Sequence, residues 1–327
     1  MKATMKDVSY AAGVSVATVS HVINNTKYVT DEMRKKVLDA VALLQYKQNI
    51  TARNFKMGKH LTIGFVVPDI SNIFFSTLIN EIEMVVSKQN YMIVVVNTQE
   101  SPEKEEEQLR RLSSGLVDGL IVASAFDDYT RIRDIIPKNF PIILLDRKPR
   151  NCTCDTILIS GYNAVFQGVE NLLQRGHRKI CCITGSQHMS TLDERLCAFR
   201  DCHKKYGVEI DEELVLRLDI TKKDIFADLK RAFPRNTGAA VFLQNTLTLG
   251  AFFYLTNHNM FNGGLDAVGY SDASWRHYAL KYMDVVTQPI DKMGTIAGER
   301  ILERITHPNK RACDIILQAK LVKKSGT

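Results

Sequence analysis

At 327 residues, 45% hydrophobic and 24% charged, the chain is too long for one small module and suits two or three globular domains. Nothing reaches the apolar length of about eighteen residues that a membrane span needs, and MKATMKDVSYAAGVS lacks the continuous apolar core of a secretory leader, so a cytoplasmic protein is expected. Charge is uneven: the chain carries 43 Lys/Arg against 36 Asp/Glu, +7, yet residues 1–60 alone hold ten against four, +6, a basic head on a nearly neutral body that suits a polyanion.

In chain order, Thr4 and Asp7 match a capping box that opens a short helix through Val8, Ala11 and Ala12, stopped by Gly13. Ser15 is placed to cap a second helix, Val16 to about Ile23, ended by Asn24-Asn25. Thr30 is placed to cap a third, about Asp31 to Gln45, with Val37, Ala40, Val41 and Leu44 as its apolar stripe. The second helix turns Val14, Val19, Val22 and Ile23 inward and leaves Val16, Ala17, Ser20 and His21 outward. Two short helices around a glycine turn, closed by a third, form a helix-turn-helix unit, whose second helix meets base edges in the major groove. Val16 and Ala17 suit thymine methyls, and His21 suits a purine acceptor.

The segment TMKDVSYAAGVSVATVSHVINN resembles, nearly position for position, the heads of LacI-type (lactose/galactose repressor) transcription regulators, T-x-x-D-V-A-x-x-A-G-V-S-x-x-T-V-S-x-V-[IL]-N. The resemblance puts base reading on Val16, Ala17 and His21, and phosphate contacts on Thr18 and Ser20, with Asn25 counted among the DNA-contacting residues. It also makes NITARNFKMGKH, residues 49–60, a hinge helix that Asn49 caps and Gly58 ends. In that family a leucine from each subunit wedges into the minor groove at the position held here by Phe55, flanked by Arg53 and Lys56, and an aromatic is able to serve as such a wedge.

From residue 61, LTIGFVV, YMIVVVN, DGLIVAS and PIILLDR read as buried parallel strands, and KICCITG, GAAVFLQN and LDAVGYS form a second series with helical stretches between. The fold class is α/β: a three-helix head and hinge helix, then a two-lobed, periplasmic-binding-protein-like core of doubly wound parallel sheets. The expected divisions are 1–48 for the head, 49–60 for the hinge and 61–327 for the core. Lobe one spans about 61–160 and 290–314, and lobe two about 161–289 and 315–327, with the three crossings near 160, 289 and 315 implied by the resemblance.

Ligands bind such folds in the crevice at the strands' carboxyl ends. PDISNIFFSTL resembles the family's P-x-x-x-N-P-F-F segment, which puts Ser71, Asn72, Phe74 and Phe75 at the first strand's mouth, although Ile73 replaces the proline. Arg195 matches the family's effector-binding arginine, and Arg147 is a second candidate. Where sugar-binding relatives carry aspartates, this chain has Ser160-Gly161, Asn245-Thr246 and Ser271-Asp272; fewer carboxylates beside Arg195 tilt the expected effector toward an acidic or phosphorylated molecule. Trp275 is a candidate for stacking on it.

No phosphate-binding or dinucleotide glycine loop, nucleophile elbow or H-E-x-x-H motif occurs, so an enzyme is not expected, and no cofactor is implied. The seven cysteines suit a reducing compartment, and C-T-C at 152–154 has no companion Cys/His pair at zinc spacing, so no metal is expected and these read as structural thiols. The expected function is a transcription regulator, most simply a repressor. Its partners are a near-palindromic double-stranded operator, a second copy of the chain, and a sugar, sugar acid or sugar phosphate as effector, with no membrane. The alternatives are control mainly by a protein partner, or a carbohydrate-active enzyme on the same core.

Overall fold

The computed structural model describes residues 3–47, 58–186, 189–219, 227–229, 238–271 and 275–325. The chain divides into two compact units, 1–60 and 61–327.

In the first unit, helix α1 (Met5–Ala12) begins at Thr4: the Thr4 amide donates to the Asp7 carboxylate at 2.8 Å, and the Asp7 amide donates back to the Thr4 hydroxyl at 3.4 Å. Gly13 follows at φ 64°, a left-handed conformation that costs glycine little and turns the chain into α2 (Val16–Asn24). Ser15 caps α2 by accepting from the Thr18 amide at 3.1 Å. Helix α3 spans Asp31–Leu43, stopping short of the expected Gln45, and Thr30 makes no side-chain cap bond. Asp31 and Glu32 in its first turn set negative charge against the positive helix end instead. Val8, Val19 and Val37 are fully buried where the three helices meet. The hinge helix expected over 49–60, with Arg53, Phe55 and Lys56, falls almost wholly on residues outside those described.

The second unit holds two six-stranded sheets. The first is wholly parallel, in the order β11-β5-β4-β3-β1-β2: Asp314–Gln318, Asp155–Ser160, Ile142–Leu145, Gly119–Val122, Thr62–Val67 and Met92–Asn97. Helices α4 (Ile73–Val86), α5 (Pro102–Ser113) and α6 (Tyr129–Ile135) alternate with its strands. All six residues of β1 are buried, as apolar strands covered on both faces must be. The second sheet runs β12-β10-β9-β8-β6-β7: Lys320–Val322, Asp284–Thr287, Asp266–Tyr270, Ala239–Phe242, Ile180–Gly185 and Val215–Leu218. Only the β10–β12 pair is antiparallel. Its helices are α7 (Tyr162–Gln174), α8 (Ser190–Tyr206), α9 (Asn245–Asn257) and the short α10 (Arg276–Ala279). Among the described residues no helix is long and apolar enough to cross a membrane.

The chain passes between the sheets three times: after β5 at Gly161, after β10 into α11 (Ile290–Thr306), and between β11 and β12. The third passage is later than the expected 315, because β11 stays in the first sheet through Gln318 and the single buried residue Ala319 joins it to β12. Helix α11 returns to the first lobe and is fastened there by buried charge. Asp155 at the start of β5 accepts from Arg300 at 2.6 Å, from Arg304 at 2.6 and 2.8 Å, and from the Cys313 amide at 2.9 Å.

Candidate functional site

On the head, Val16 is 41% exposed and Ala17 is also exposed, although the rest of the helix's apolar side chains pack inward; a valine left in solvent at the start of such a helix is unexplained by the head's own core. His21 sits one turn on, its Nδ1 2.9 Å from the Thr26 hydroxyl. With Thr26 donating, Nε2 carries the proton, and the outward nitrogen is a donor suited to guanine or adenine acceptors. Thr18 and Ser15 share a hydroxyl pair at 2.9 Å, Ser20 accepts from Asn24 at 3.2 Å, and Asn25, at φ 50°, accepts from Arg34 at 3.0 Å. These three therefore also hold the ends of α2 in shape.

In the second unit, a cavity of about 50 Å³ lies between the lobes. Asn72, Phe74, Phe75, Asp146 and Arg147 line it from the first lobe, and Met189, Thr191, Leu192, Arg195, Gln244 and Asn245 from the second, with Gln288 at a crossing. An outer cavity of about 350 Å³ adjoins it, sharing Arg147 and Met189 and continuing along Glu100, Ser124, Lys148, Arg150, Ser190 and Asp193. The inner space has room for only a few water molecules, whereas the adjoining outer cavity falls within the roughly 300–1,000 Å³ of ligand pockets.

Arg195, in the second turn of α8, is 5% exposed: its Nη1 donates to the Leu243 carbonyl at 2.8 Å and its guanidinium lies 3.9 Å above the Tyr270 ring. Its Nε, the Tyr270 hydroxyl and the Gln244 Oε1 are buried with no hydrogen-bond partner among the described residues. Arg195 and Gln244 line the cavity, with Tyr270 stacked against Arg195 behind them, and such unpartnered groups mark where water or a ligand's polar atoms belong. Burial pushes the Tyr270 hydroxyl up to about 12, so it remains a donor. Gly161 makes room for it: a Cβ there would lie 1.9 Å from the Tyr270 oxygen.

Other expected ligands are occupied. Arg147 is held by Glu100 in two bonds of 2.7 Å, so its charge is met within its own lobe. Burial opposes that charge, but the Glu100 hydrogen bonds and charge outweigh it and hold the guanidinium up. Asp146, the residue before it, adopts φ 67°, a strained conformation of the kind found at ligand clamps, and burial raises its carboxyl. Ser160 donates to Glu194 at 2.5 Å, and the Gly161 amide donates to the same carboxylate at 3.2 Å. Glu194 thus supplies a carboxylate where the sequence suggested one had been lost.

Asn72, Phe74, Phe75, Arg195 and Asn245 are brought together as expected. Asn72 also caps α4 through the Phe74 amide at 3.1 Å, and the Phe74 and Phe75 rings meet edge to face at 5.2 Å. Ser71 is exposed and turned to Asp69 at 2.7 Å, and is not in the cavity wall; nor are Thr246 and the buried Ser271, while Asp272 lies outside the described residues. Trp275 packs on Phe252 at 5.5 Å and lines a separate cavity with Phe253 and Tyr278, so it does not stack on a crevice ligand.

A profile described as periplasmic binding proteins and sugar binding domain of LacI family matches residues 60–325, and one described as bacterial regulatory proteins, lacI family, matches residues 4–49. The chain belongs to the LacI family. The chain is 30% identical over 308 residues to the HTH-type transcriptional repressor PurR of Vibrio cholerae, covering 93% of this chain and 91% of that one. Among solved structures, a complex of the transcriptional regulator CelR with cellobiose is 25% identical, with a TM-score of 0.70 and coverage of 99% and 100%. The lac repressor dimer bound to operator and an anti-inducer shares the fold at 21% identity, with a TM-score of 0.81 over 99% of this chain and 98% of that one. LacI-family membership accounts for the two-unit plan, a helix-turn-helix head on a two-lobed core with the cavity between the lobes.

Proposed function

We propose that the protein is a cytoplasmic, non-enzymatic repressor of transcription that binds a near-palindromic operator as a homodimer and is switched by a small molecule in the crevice. The observation that carries the reading is the outward row Val16, Ala17 and His21 on a capped recognition helix, in a head with net charge +6. Two copies of one chain related by a twofold axis present two such helices to two half-sites. The core offers apolar surface for that pairing, with Met92 at 62% exposure on edge strand β2 and Tyr278 at 62% beside the exposed Phe253 on the second lobe.

The proposed effector is a neutral molecule rich in hydroxyl or amide groups. Arg147 is already paired with Glu100 and Arg195 already donates to the Leu243 carbonyl, so an anion finds these cations engaged, whereas a polyol can use the unpartnered polar atoms of Arg195 and Gln244. The relative solved with cellobiose supports a neutral sugar. Effector binding parts or re-closes the lobes across the three crossings and so changes the spacing of the two heads. The test is a titration of operator complexes with neutral sugars, sugar acids and sugar phosphates. Operator affinity should move severalfold with a neutral sugar, and a response confined to the anions would reject the assignment.

A further inference from the structure

Neither DNA binding nor the crevice accounts for the two thiols in the segment between β4 and β5. Cys152 and Cys154 place their sulfurs 3.7 Å apart, both half-buried, with Thr153 exposed between them. A disulfide bond is about 2.0 Å long, so the sulfurs need to close roughly 1.7 Å, within the reach of side-chain rotation. The remaining described cysteines lack this arrangement. Cys181, Cys182 and Cys202 are buried and their thiols are pushed up by that burial, while Cys197 and Cys313 are exposed.

The pair's surroundings separate its roles. The Cys154 thiol is the deeper one, beside Tyr129, and its hydrogen bond to the Cys152 sulfur is the largest influence on both groups. That bond, with the Cys154 backbone and the Lys148 ammonium, pulls the Cys152 thiol down against the opposing effects of burial and of Asp314, and the same bond together with burial pushes Cys154 up. Cys152, the shallower of the two, is placed to meet an oxidant first, with the Cys154 sulfur in contact behind it at 3.7 Å.

We propose that Cys152 and Cys154 form a peroxide-responsive redox pair that closes to a reversible intrachain disulfide. The Cys152 thiolate attacks one peroxide oxygen, an S–O bond forms as the O–O bond breaks, and the departing oxygen takes up a proton and leaves as water or alcohol. The Cys154 sulfur then attacks the Cys152 sulfenic acid, the S–S bond forms as the S–O bond breaks, and the Cys154 proton leaves with the hydroxyl as a second water. Both sulfurs are oxidised and the peroxide is reduced. A bridge across one intervening residue is strained and accessible, so thiols reduce it readily.

The pair is placed to touch the regulator's switch. On one side the segment is fastened at Asp155 by Arg300 and Arg304. On the other, Lys148 and Arg150 line the outer crevice cavity, and the Lys148 amide donates to Ser190 of the second lobe at 3.4 Å.

The test is to expose reduced full-length protein to stoichiometric hydrogen peroxide, block remaining thiols, and map the peptides. The expected product is one bridge between Cys152 and Cys154, lost on treatment with dithiothreitol. Cys154→Ser should leave a sulfenic acid on Cys152 that dimedone traps, and Cys152→Ser should leave Cys154 unmodified, with circular dichroism confirming that both variants fold. The proposal is overturned if the wild-type protein bridges to Cys313 or to another chain, if Cys152 passes to the sulfinic acid unbridged, or if the exposed Cys197 and Cys313 oxidise first. The wild-type map decides the matter even if a variant misfolds.

Discussion

Adding one methyl group at Gly161 tests the packing that keeps the crevice's polar groups in place. A Cβ there would lie 1.9 Å from the Tyr270 oxygen, 3.2 Å from its Cζ and 3.3 Å from the Arg195 Nε. The ring cannot swing aside, since Tyr270 is 1% exposed and carries the Arg195 guanidinium 3.9 Å above its face. Gly161→Ala should therefore destabilise the core by about 1–3 kcal/mol, the usual cost of overpacking. The Tyr270 oxygen has no partner among the described residues, so Tyr270→Phe forfeits no bond there and should change stability by less than about 1 kcal/mol. With the oxygen gone, the new methyl meets Cζ at 3.2 Å and the Arg195 Nε at 3.3 Å, both tight but without the severe overlap, and the double variant should recover most of the loss, a coupling of roughly 1–2 kcal/mol. Urea unfolding of the full-length proteins, followed by the fluorescence of the single tryptophan, Trp275, reads the second lobe directly. A Gly161→Ala protein as stable as wild type, or a double variant no better than Gly161→Ala, would refute the reasoning. Effector binding supplies a second readout: if the hydroxyl awaits a ligand atom, Tyr270→Phe weakens effector affinity by about 0.5–1.5 kcal/mol while leaving stability unchanged.

His21→Ala should cost about 1–3 kcal/mol on the operator and leave binding to random DNA unchanged, measured by competition; an equal loss on both would show that His21 reads no base. Glu105 is fully buried, accepting from Ser124 at 2.5 Å and Ala125 at 2.6 Å, and burial raises its carboxyl from 4.5 to about 7. A raised folded-state pKa means stability present below pH 4.5 and lost as pH rises through about 7, on the order of 3 kcal/mol, and Glu105→Gln should remove that slope in unfolding curves taken from pH 4.5 to 8. For Asp155, burial favours the neutral acid, but Arg300, the Cys313 amide and Arg304 outweigh it and hold the carboxyl below 3.8. Its contribution is present above that pH and lost as the acid range is entered, and Asp155→Asn should cost about 3–5 kcal/mol at pH 7, because two buried guanidinium groups lose their anion. A loss under 1 kcal/mol would mean that hydration replaces the carboxylate.

The head was legible because its signals are local. Thr4 acts on Asp7, Gly13 on Tyr10 and Ser15 on Thr18, each over three residues, and each appears where its spacing placed it. Thr30 misled because a threonine before a helix only permits a cap, and the acids after it suffice. Strands β1 to β4, β6, β8 and β9 were visible as apolar runs, although β2, expected to be buried, is a half-exposed strand at the sheet edge because only one neighbour pairs with it. Strands β5, β7, β10, β11 and β12 are short or carry charge, and Asp155 in β5 is stable there only through arginines 145 and 149 residues away, which no local pattern reports. The same distance effect governed the crevice. Arg147 looked like an open cation until Glu100, 47 residues upstream, was seen to hold it, and Ser160 looked like a lost acid until Glu194, 34 residues on, supplied one. Gln244 and Asp146 carried no motif, and only their place at strand ends facing the crevice identifies them, while Tyr270 is identified by its contact with Arg195.

Sequence-specific recognition of DNA is the central claim, and it is tested most directly by incubating the full-length protein with sheared DNA from the organism that encodes it and sequencing what is retained. The account predicts enrichment of one near-palindromic sequence close to a few promoters, lost with His21→Ala and weakening by roughly 10³–10⁵ between 50 and 200 mM salt if 6–10 phosphates are contacted. Retention spread evenly over the genome, with no palindrome recovered with or without added metabolites, would contradict it.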